Sequence, residues 1–300
     1  MLRRAVLAGL TAGSLLLSAA ACGGDEPTPQ RQQDGRLKIV AGFYPLEYIS
    51  ERIGAENAAV TNLTQAGAEP HDLELKPTQL AQITDAGLVV YLAGFQPAVD
   101  EAVKLQAKDK AFDVASVEPL QAGGDLDGGH GDDPHVWLDP IRFAAIVGKL
   151  ADRLAAVDPT NADAIKVRAG QLQDELRRLD EDYTAGLQTC ARREIVTSHA
   201  AFGYLAARYH LIQVPISGLD PEAEPSPQRV SEIAALAKQK GVTTIFFEAL
   251  VSPKLSETVA KEVGAKAAVL DPIEGVEKGD DYISVMVHNL VALRAALGCT

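Results

Sequence analysis

Residues 158–186 read DPTNADAIKVRAGQLQDELRRLDEDYTAG. Asp158 before Pro159 is a helix-start signal: an acceptor side chain at the N-cap, then a residue whose φ is already helical and whose missing amide is not needed there. Ile165, Ala169, Leu172, Leu176, Leu179 and Tyr183 then step by four or three along one face, and Gly186 is a stop. Over that span, at 1.5 Å per residue, the helix would be roughly 40 Å long. It exceeds the usual globular helix and is long enough to run from one domain to another.

On both sides of this helix, short apolar runs alternate with short helical patterns. Before it, strands are expected at 37–43, 58–63, 88–92 and 111–114, with helices at 46–54, 77–86 and 97–106. After it, strands are expected at 193–197, 211–215, 242–247 and 265–270, with helices at 201–209, 227–240, 253–263 and 281–297. Such alternation implies crossover connections and parallel sheets covered on both faces. The expected fold is therefore α/β: two lobes, each with a mostly parallel four-stranded sheet flanked by helices, joined by one long linker helix. The divisions are a leader at 1–21, a tether at 22–35, an N-terminal lobe at 36–157, the linker at 158–186 and a C-terminal lobe at 187–300.

Arg3 and Arg4, the apolar stretch 5–17 and the small residues before Cys22 read as an export signal. The apolar run is too short to span a bilayer. Three alanines before Cys22 resemble a bacterial lipobox, with Ala19 where leucine is more usual, so Cys22 is the expected lipid-attachment site; plain secretion after Ala-x-Ala cleavage is the alternative. Residues 23–35 are rich in Gly, Pro, Gln and acids, the composition of a flexible tether. With Cys22 lipidated, Cys190 and Cys299 remain as an even pair in an oxidising compartment, and a disulfide between them is expected. The net charge of −13 and the lack of a Lys/Arg cluster argue against nucleic acid as a partner.

Three of the six histidines stand beside carboxylates or at strand exits: His71 in Glu-Pro-His-Asp, His135 in Asp-Pro-His, and His199 after the apolar run 194–197. Asp271 follows another apolar run and precedes Pro272. Imidazole nitrogens with one carboxylate oxygen suit a borderline divalent ion, zinc above all. The positions are far apart, so the site must be assembled by the fold. Each histidine by itself reads equally well as a loop or capping group.

Together, the segments around these residues resemble the metal-binding lipoproteins of bacterial ABC importers for zinc and manganese. Residues 67–78 look like that family's first ligand loop, 133–140 its second, 197–204 its third and 270–273 its fourth. The resemblance covers 36–298, including the linker helix and the closing segment 282–289. It implies two lobes bridged by a rigid helix, with the ion in the cleft between them and His71, His135, His199 and Asp271 as ligands. It also implies a monomer that captures Zn2+ outside the cytoplasm and delivers it to a membrane permease. Histidine at the third position favours zinc; the short Gly/Asp loop at 123–133, with only His130, keeps manganese or iron open as cargo. Glu69 and Glu248 are expected either to support the ligands from behind or, for Glu69, to complete the coordination, with Glu248 bonding between lobes. Trp137 is expected to wall the site off from water. Two other classes stand beside this reading: a secreted zinc hydrolase, in which three histidines leave a position for activated water, and an adhesin on the same scaffold.

Overall fold

The computed structural model describes residues 30–123 and 131–300. Cys22, the leader, the tether to residue 29 and His130 lie outside the described residues. The N-terminal sheet contains β1 (Leu37–Ala41), β2 (Ala58–Asn62), β3 (Leu88–Tyr91) and β4 (Ala111–Asp113), and the C-terminal sheet β7 (Glu194–Thr197), β8 (Ile212–Pro215), β9 (Thr244–Phe247) and β10 (Lys266–Val269). Between them a small antiparallel pair, β5 (Gln121–Ala122) with β6 (Asp132–Asp133), precedes the second histidine loop. The helices are α1 (Tyr44–Gly54), α2 (Pro77–Thr84), α3 (Pro97–Gln106), α4 (Val114–Val117), α5 (Pro140–Val157), α6 (Ala162–Gly186), α7 (Gly203–Arg208), α8 (Pro227–Lys240), α9 (Lys254–Val263) and α10 (Tyr282–Leu297).

Both large sheets are wholly parallel, in the orders β2-β1-β3-β4 and β10-β9-β7-β8. In each, the chain leaves its first strand to one side and returns on the other. The crevice this opens beyond the carboxyl ends, between β1 and β3 and between β7 and β9, is where open α/β sheets bind ligands. Three of the outer faces' apolar residues, Val89, Val99 and Ile83, pack in a core of the N-terminal lobe, and Val196, Ile233 and Ile245 in a core of the C-terminal lobe. A third and larger core belongs to both lobes at once: Leu37, Ile39 and Phe43 from one and Ile195, Phe246 and Leu270 from the other join through α5, α6 and α10.

The buried residues of α6 are the six that the periodicity picks out, Ile165, Ala169, Leu172, Leu176, Leu179 and Tyr183. Its first half is fixed to α1: Arg168 donates to the carbonyls of Ile53 (2.8 Å) and Gly54 (3.2 Å), and Arg52 pairs with Glu175 at 2.8 Å. Its last turns are fixed to the other lobe: the Tyr183 hydroxyl donates to Met286 O on α10 at 2.6 Å, and Asp180 pairs with Arg208 of α7. One rigid rod thus sets the distance between the two sheets.

The structure differs from expectation at the start of that rod. Asp158 does not cap it. Its carboxylate takes Arg31 at 2.8 Å and the Asn161 amide at 2.7 Å, a 3-10 turn Pro159–Asn161 intervenes, and α6 begins at Ala162. The same ion pair ties down residues 30–35, expected as the end of a flexible tether: they form a turn in which Gln32 N donates to Arg36 O and Lys38 N to Gln30 O. Helix α5 was not anticipated, although its signal is present. Asp139 caps it by accepting from Ile141 N and Arg142 N, Pro140 opens it, and Phe143, Ile146, Val147, Leu150 and Leu154 make its buried face. It packs against α6, so the linker is a helical pair rather than a lone strut. Helix α7 starts two residues later than expected, because residues 198–202 turn to present His199.

Cys190 and Cys299 are bonded, joining the end of the linker to the C-terminus across 109 residues. Closing a loop of that size restricts the unfolded chain, and removal of a native disulfide typically costs about 2–5 kcal/mol. Cys190→Ser with Cys299→Ser is expected to lower the unfolding free energy from urea titration by that amount with an unchanged far-UV circular dichroism spectrum, and an unchanged free energy would show that the bond adds nothing to stability.

Candidate metal centre

Four loops bring one side chain each to the space between the sheets. His71 lies on the connection after β2, where Gln96 clamps the loop by donating to Pro70 O (3.2 Å) and Thr64 Oγ1 (3.1 Å), and Glu69 Oε1 accepts from His71 N (3.2 Å). His135 follows β6 and opens the 3-10 turn Val136–Leu138. His199 follows β7, its carbonyl held by Thr197 Oγ1 (2.7 Å) and by the Gln213 amide (3.0 Å). Glu274 lies beyond β10. One ligand atom from each of the four falls within 4.8 Å of all the others. His135 and His199 are fully buried, Glu274 is 1 % exposed, and the His71 side chain, at 12 %, is the one that reaches toward solvent.

The fourth residue gathered there is Glu274, where Asp271 is expected. Asp271 Oδ1 accepts from Ile273 N at 2.7 Å, and the Asn289 amide of α10 holds the Asp271 backbone at both N and O. Asp271 is thus used to shape the turn. Ile273 takes φ +62°, and Glu274 is the residue that enters the cluster. A β-branched residue at positive φ is a rare conformation held only by its surroundings. No spacing or composition signal in the sequence distinguishes Glu274 from the other acids.

The geometry is that of a cage sized for an ion. Zn–N and Zn–O bonds of about 2.0–2.1 Å in a tetrahedron place neighbouring ligand atoms about 3.3 Å apart. Here His71 Nε2 to Glu274 Oε1 is 3.3 Å, His135 Nε2 to Glu274 Oε1 is 3.1 Å, and His135 Nε2 to His199 Nε2 is 3.3 Å. Each fully buried ring is aimed by a carboxylate on its other nitrogen. Asp133 Oδ1 sits 2.7 Å from His135 Nδ1, and Glu248 Oε1 sits 2.6 Å from His199 Nδ1. An Nδ1 proton donated to the carboxylate leaves Nε2 as the inward ligand atom, the arrangement that fixes tautomer and raises basicity. Glu248 follows β9 and bonds to His199 and Ser198 of its own lobe, so it does not join the two lobes as expected. Asp133 was missed as a partner, though it stands two residues before His135. Gly203 is required beside it, since a Cβ there would lie 2.6 Å from Asp133 Oδ2.

The wall is aromatic. Phe95 meets His71 edge-on at 4.6 Å and Trp137 lies 5.3 Å from His135. Trp137 also ties the lobes, donating from Nε1 to Pro272 O at 2.7 Å and accepting the Tyr282 hydroxyl at its own carbonyl at 2.5 Å. His210 and His288 are exposed and do not join the cluster.

Over residues 39–296 the chain matches the family described as zinc-uptake complex component A, periplasmic, ZnuA. The chain belongs to the ZnuA family. Among curated relatives, the zinc-binding protein AdcA of Streptococcus pyogenes serotype M18 is 35 % identical over 288 residues, which are 87 % of this chain and 56 % of that one. The chain thus spans about half the length of AdcA. The high-affinity zinc uptake system protein ZnuA of Bacillus subtilis is 33 % identical over 300 residues, with 94 % of both chains covered. Of solved structures, the laminin binding protein Lmb of Streptococcus agalactiae, described as bifunctional with adhesin and metal transporting activity, superposes with a TM-score of 0.79 at 32 % identity, covering 87 % of this chain and 99 % of that one. Zn(II)-bound AdcA of Streptococcus pneumoniae superposes with 0.76 at 36 % identity, covering 88 % and 58 %. The two parallel four-stranded sheets and the long helix therefore belong to the ZnuA-type binding fold.

Burial and hydrogen bonding shift the proton affinity of several groups in the cluster. Burial opposes charge on His135, but its bonds to Asp133 and Glu274 outweigh this and push its pKa up to about 10. Burial also works against the Glu274 carboxylate, and its bonds to His135 and His71 hold it well below the usual range. Burial, and then the Glu274 charge, push Glu69 up to about 8, and burial raises Asp271 to about 6. Burial is the largest influence on His71 and lowers it, against the pull of Glu274. His135 and Glu69 bind protons more tightly folded than unfolded, so their contribution is full at low pH and is lost as pH rises through their folded values. The metal-free protein is expected to lose thermal stability steadily from about pH 7 to pH 10, and Asp133→Asn to flatten that slope; a melting temperature that rises across this range would contradict the assignment.

Proposed function

We propose that this ZnuA-family chain captures Zn2+ outside the cytoplasm, holds it between its lobes with His71 Nε2, His135 Nε2, His199 Nε2 and a Glu274 oxygen, and hands it to a membrane permease of an ABC importer. The observation that carries this reading is the set of three imidazoles and one carboxylate gathered within 4.8 Å in a buried cleft, with three of their six separations at 3.1–3.3 Å. The names of the relatives, zinc-binding protein and high-affinity zinc uptake system protein, support it. The nitrogen-rich donor set favours zinc over manganese, which prefers oxygen. Four protein ligands fill a tetrahedron and leave no position for an activated water, which favours carriage over hydrolysis. Zinc competes with the proton on His135, so loading releases a proton and affinity falls as pH falls.

The metal-free protein is expected to take up one zinc per chain, with an absorption-edge spectrum showing three imidazole ligands. His135→Ala, His199→Ala and Glu274→Ala should each weaken zinc binding by more than about 100-fold, exceeding the 10–100-fold typical of groups behind the ligands. Competition against a chelator of known affinity measures this, and unchanged affinity in any of the three would remove that residue from the site. Substoichiometric zinc beside tight manganese would overturn the choice of ion.

The curated AdcA of Streptococcus pneumoniae is named a zinc-binding lipoprotein, which supports lipid attachment at Cys22 and a tether to the membrane. In cells, Cys22→Ala is expected to abolish labelling by a fatty-acid analogue and to release the protein from the membrane fraction. Label retained in that variant would place the lipid elsewhere.

A further inference from the structure

The ligand set contains one residue that its own strand does not aim. His135 and His199 are oriented by bonds to their rings, and the His71 loop is clamped by Gln96 and Glu69. Glu274 has no ring bond or loop clamp of that kind: its Oε1 faces His71 and His135, its Oε2 is buried with no hydrogen bond among the described residues, and a further side-chain neighbour there is the Glu69 carboxyl, itself with an unpaired Oε2. What fixes Glu274 is the backbone before it. Ile273, fully buried, holds φ +62°, a conformation that a β-branched residue does not choose. Three side-chain hydrogen bonds surround that turn. Asn289, 2 % exposed on α10, accepts from Asp271 N at 2.9 Å with Oδ1 and donates to Asp271 O at 2.7 Å with Nδ2, while Asp271 Oδ1 accepts from Ile273 N at 2.7 Å.

We propose that Asn289 and Asp271 are positioning residues for the metal site: Asn289 locks the Asp271 peptide against α10, and Asp271 locks Ile273 in the left-handed turn that swings the Glu274 carboxylate to the histidines. This rests on the ligand set proposed above. Both Asn289 bonds go to backbone, so leucine, although similar in size, cannot replace them. Asparagine at 271 retains the acceptor that Ile273 N needs. Released, the turn relaxes toward negative φ and carries Glu274 away from the three rings, which stay in place on their own supports.

A double-mutant cycle on zinc affinity separates this role from general damage. Asn289→Leu and Asp271→Ala are expected to weaken zinc binding ~10–100-fold, the range for groups that orient a ligand. In a Glu274→Ala background each should have less than about a twofold effect, because the residue they aim is gone. Asp271→Asn should keep affinity within about twofold of the parent. Equal losses in both backgrounds, no loss in either, or failure of Asp271→Asn to rescue would overturn the proposal. If Asn289→Leu does not fold, as judged by circular dichroism of the metal-free protein, the Asp271→Ala and Asp271→Asn arms decide by the same criteria. An unaltered affinity in Glu274→Ala alone would instead sink the ligand assignment, a result distinct from failure of the positioning role.

Discussion

Four ligand atoms carried by loops far apart in the chain can lie within 4.8 Å of one another only if the two sheets are held at a fixed separation. The apolar core shared by both lobes provides that constraint. Helix α6 enters it along six buried residues, bonded to α1 and, at its other end, to α7 and α10, and α5 packs against it. Trp137 adds a local stitch, bonded to Pro272 and Tyr282 across the cleft beside the histidines. Interiors this closely packed do not deform continuously, so the cage is prepared by the fold before any ion arrives.

Such preparation carries an electrostatic cost. Three imidazoles and several carboxylates share one buried space, and their mutual bonds raise the proton affinity of His135, set between Asp133 and Glu274, while burial raises that of Glu69. On the proposed function, the ion would take the place of a proton's positive charge there, and capture would exchange protons for metal and couple affinity to external pH. The aromatic wall of Phe95 and Trp137 strengthens each of these interactions by excluding water.

The fourth corner of the cage has a different character from the other three. The histidines take their aim from ring hydrogen bonds or from a clamped loop, each beside its own strand end. Glu274 depends on a turn in an unfavoured backbone conformation, supported from α10, the last helix of the chain. Completion of the site therefore waits on the docking of that helix, and the disulfide Cys190–Cys299 anchors the helix's far end to the linker.

The sequence by itself determined the two β-α series, the buried face of α6 and the gathering of three histidines, because each leaves a local signature: period-two or period-3.6 apolar patterning, capping residues, or imidazole beside a carboxylate at a strand exit. Helix α5 was equally legible from Asp139-Pro140 and its apolar stripe. The capping role read for Asp158 failed because Arg31, distant in sequence, claims its carboxylate. Only the tertiary structure chose Glu274 over Asp271. Both are acids on the loop after the last strand, three residues apart, and nothing local separates them; the choice falls to Asn289 of another element, which binds the Asp271 backbone and turns the chain at Ile273 so that the later acid faces the histidines.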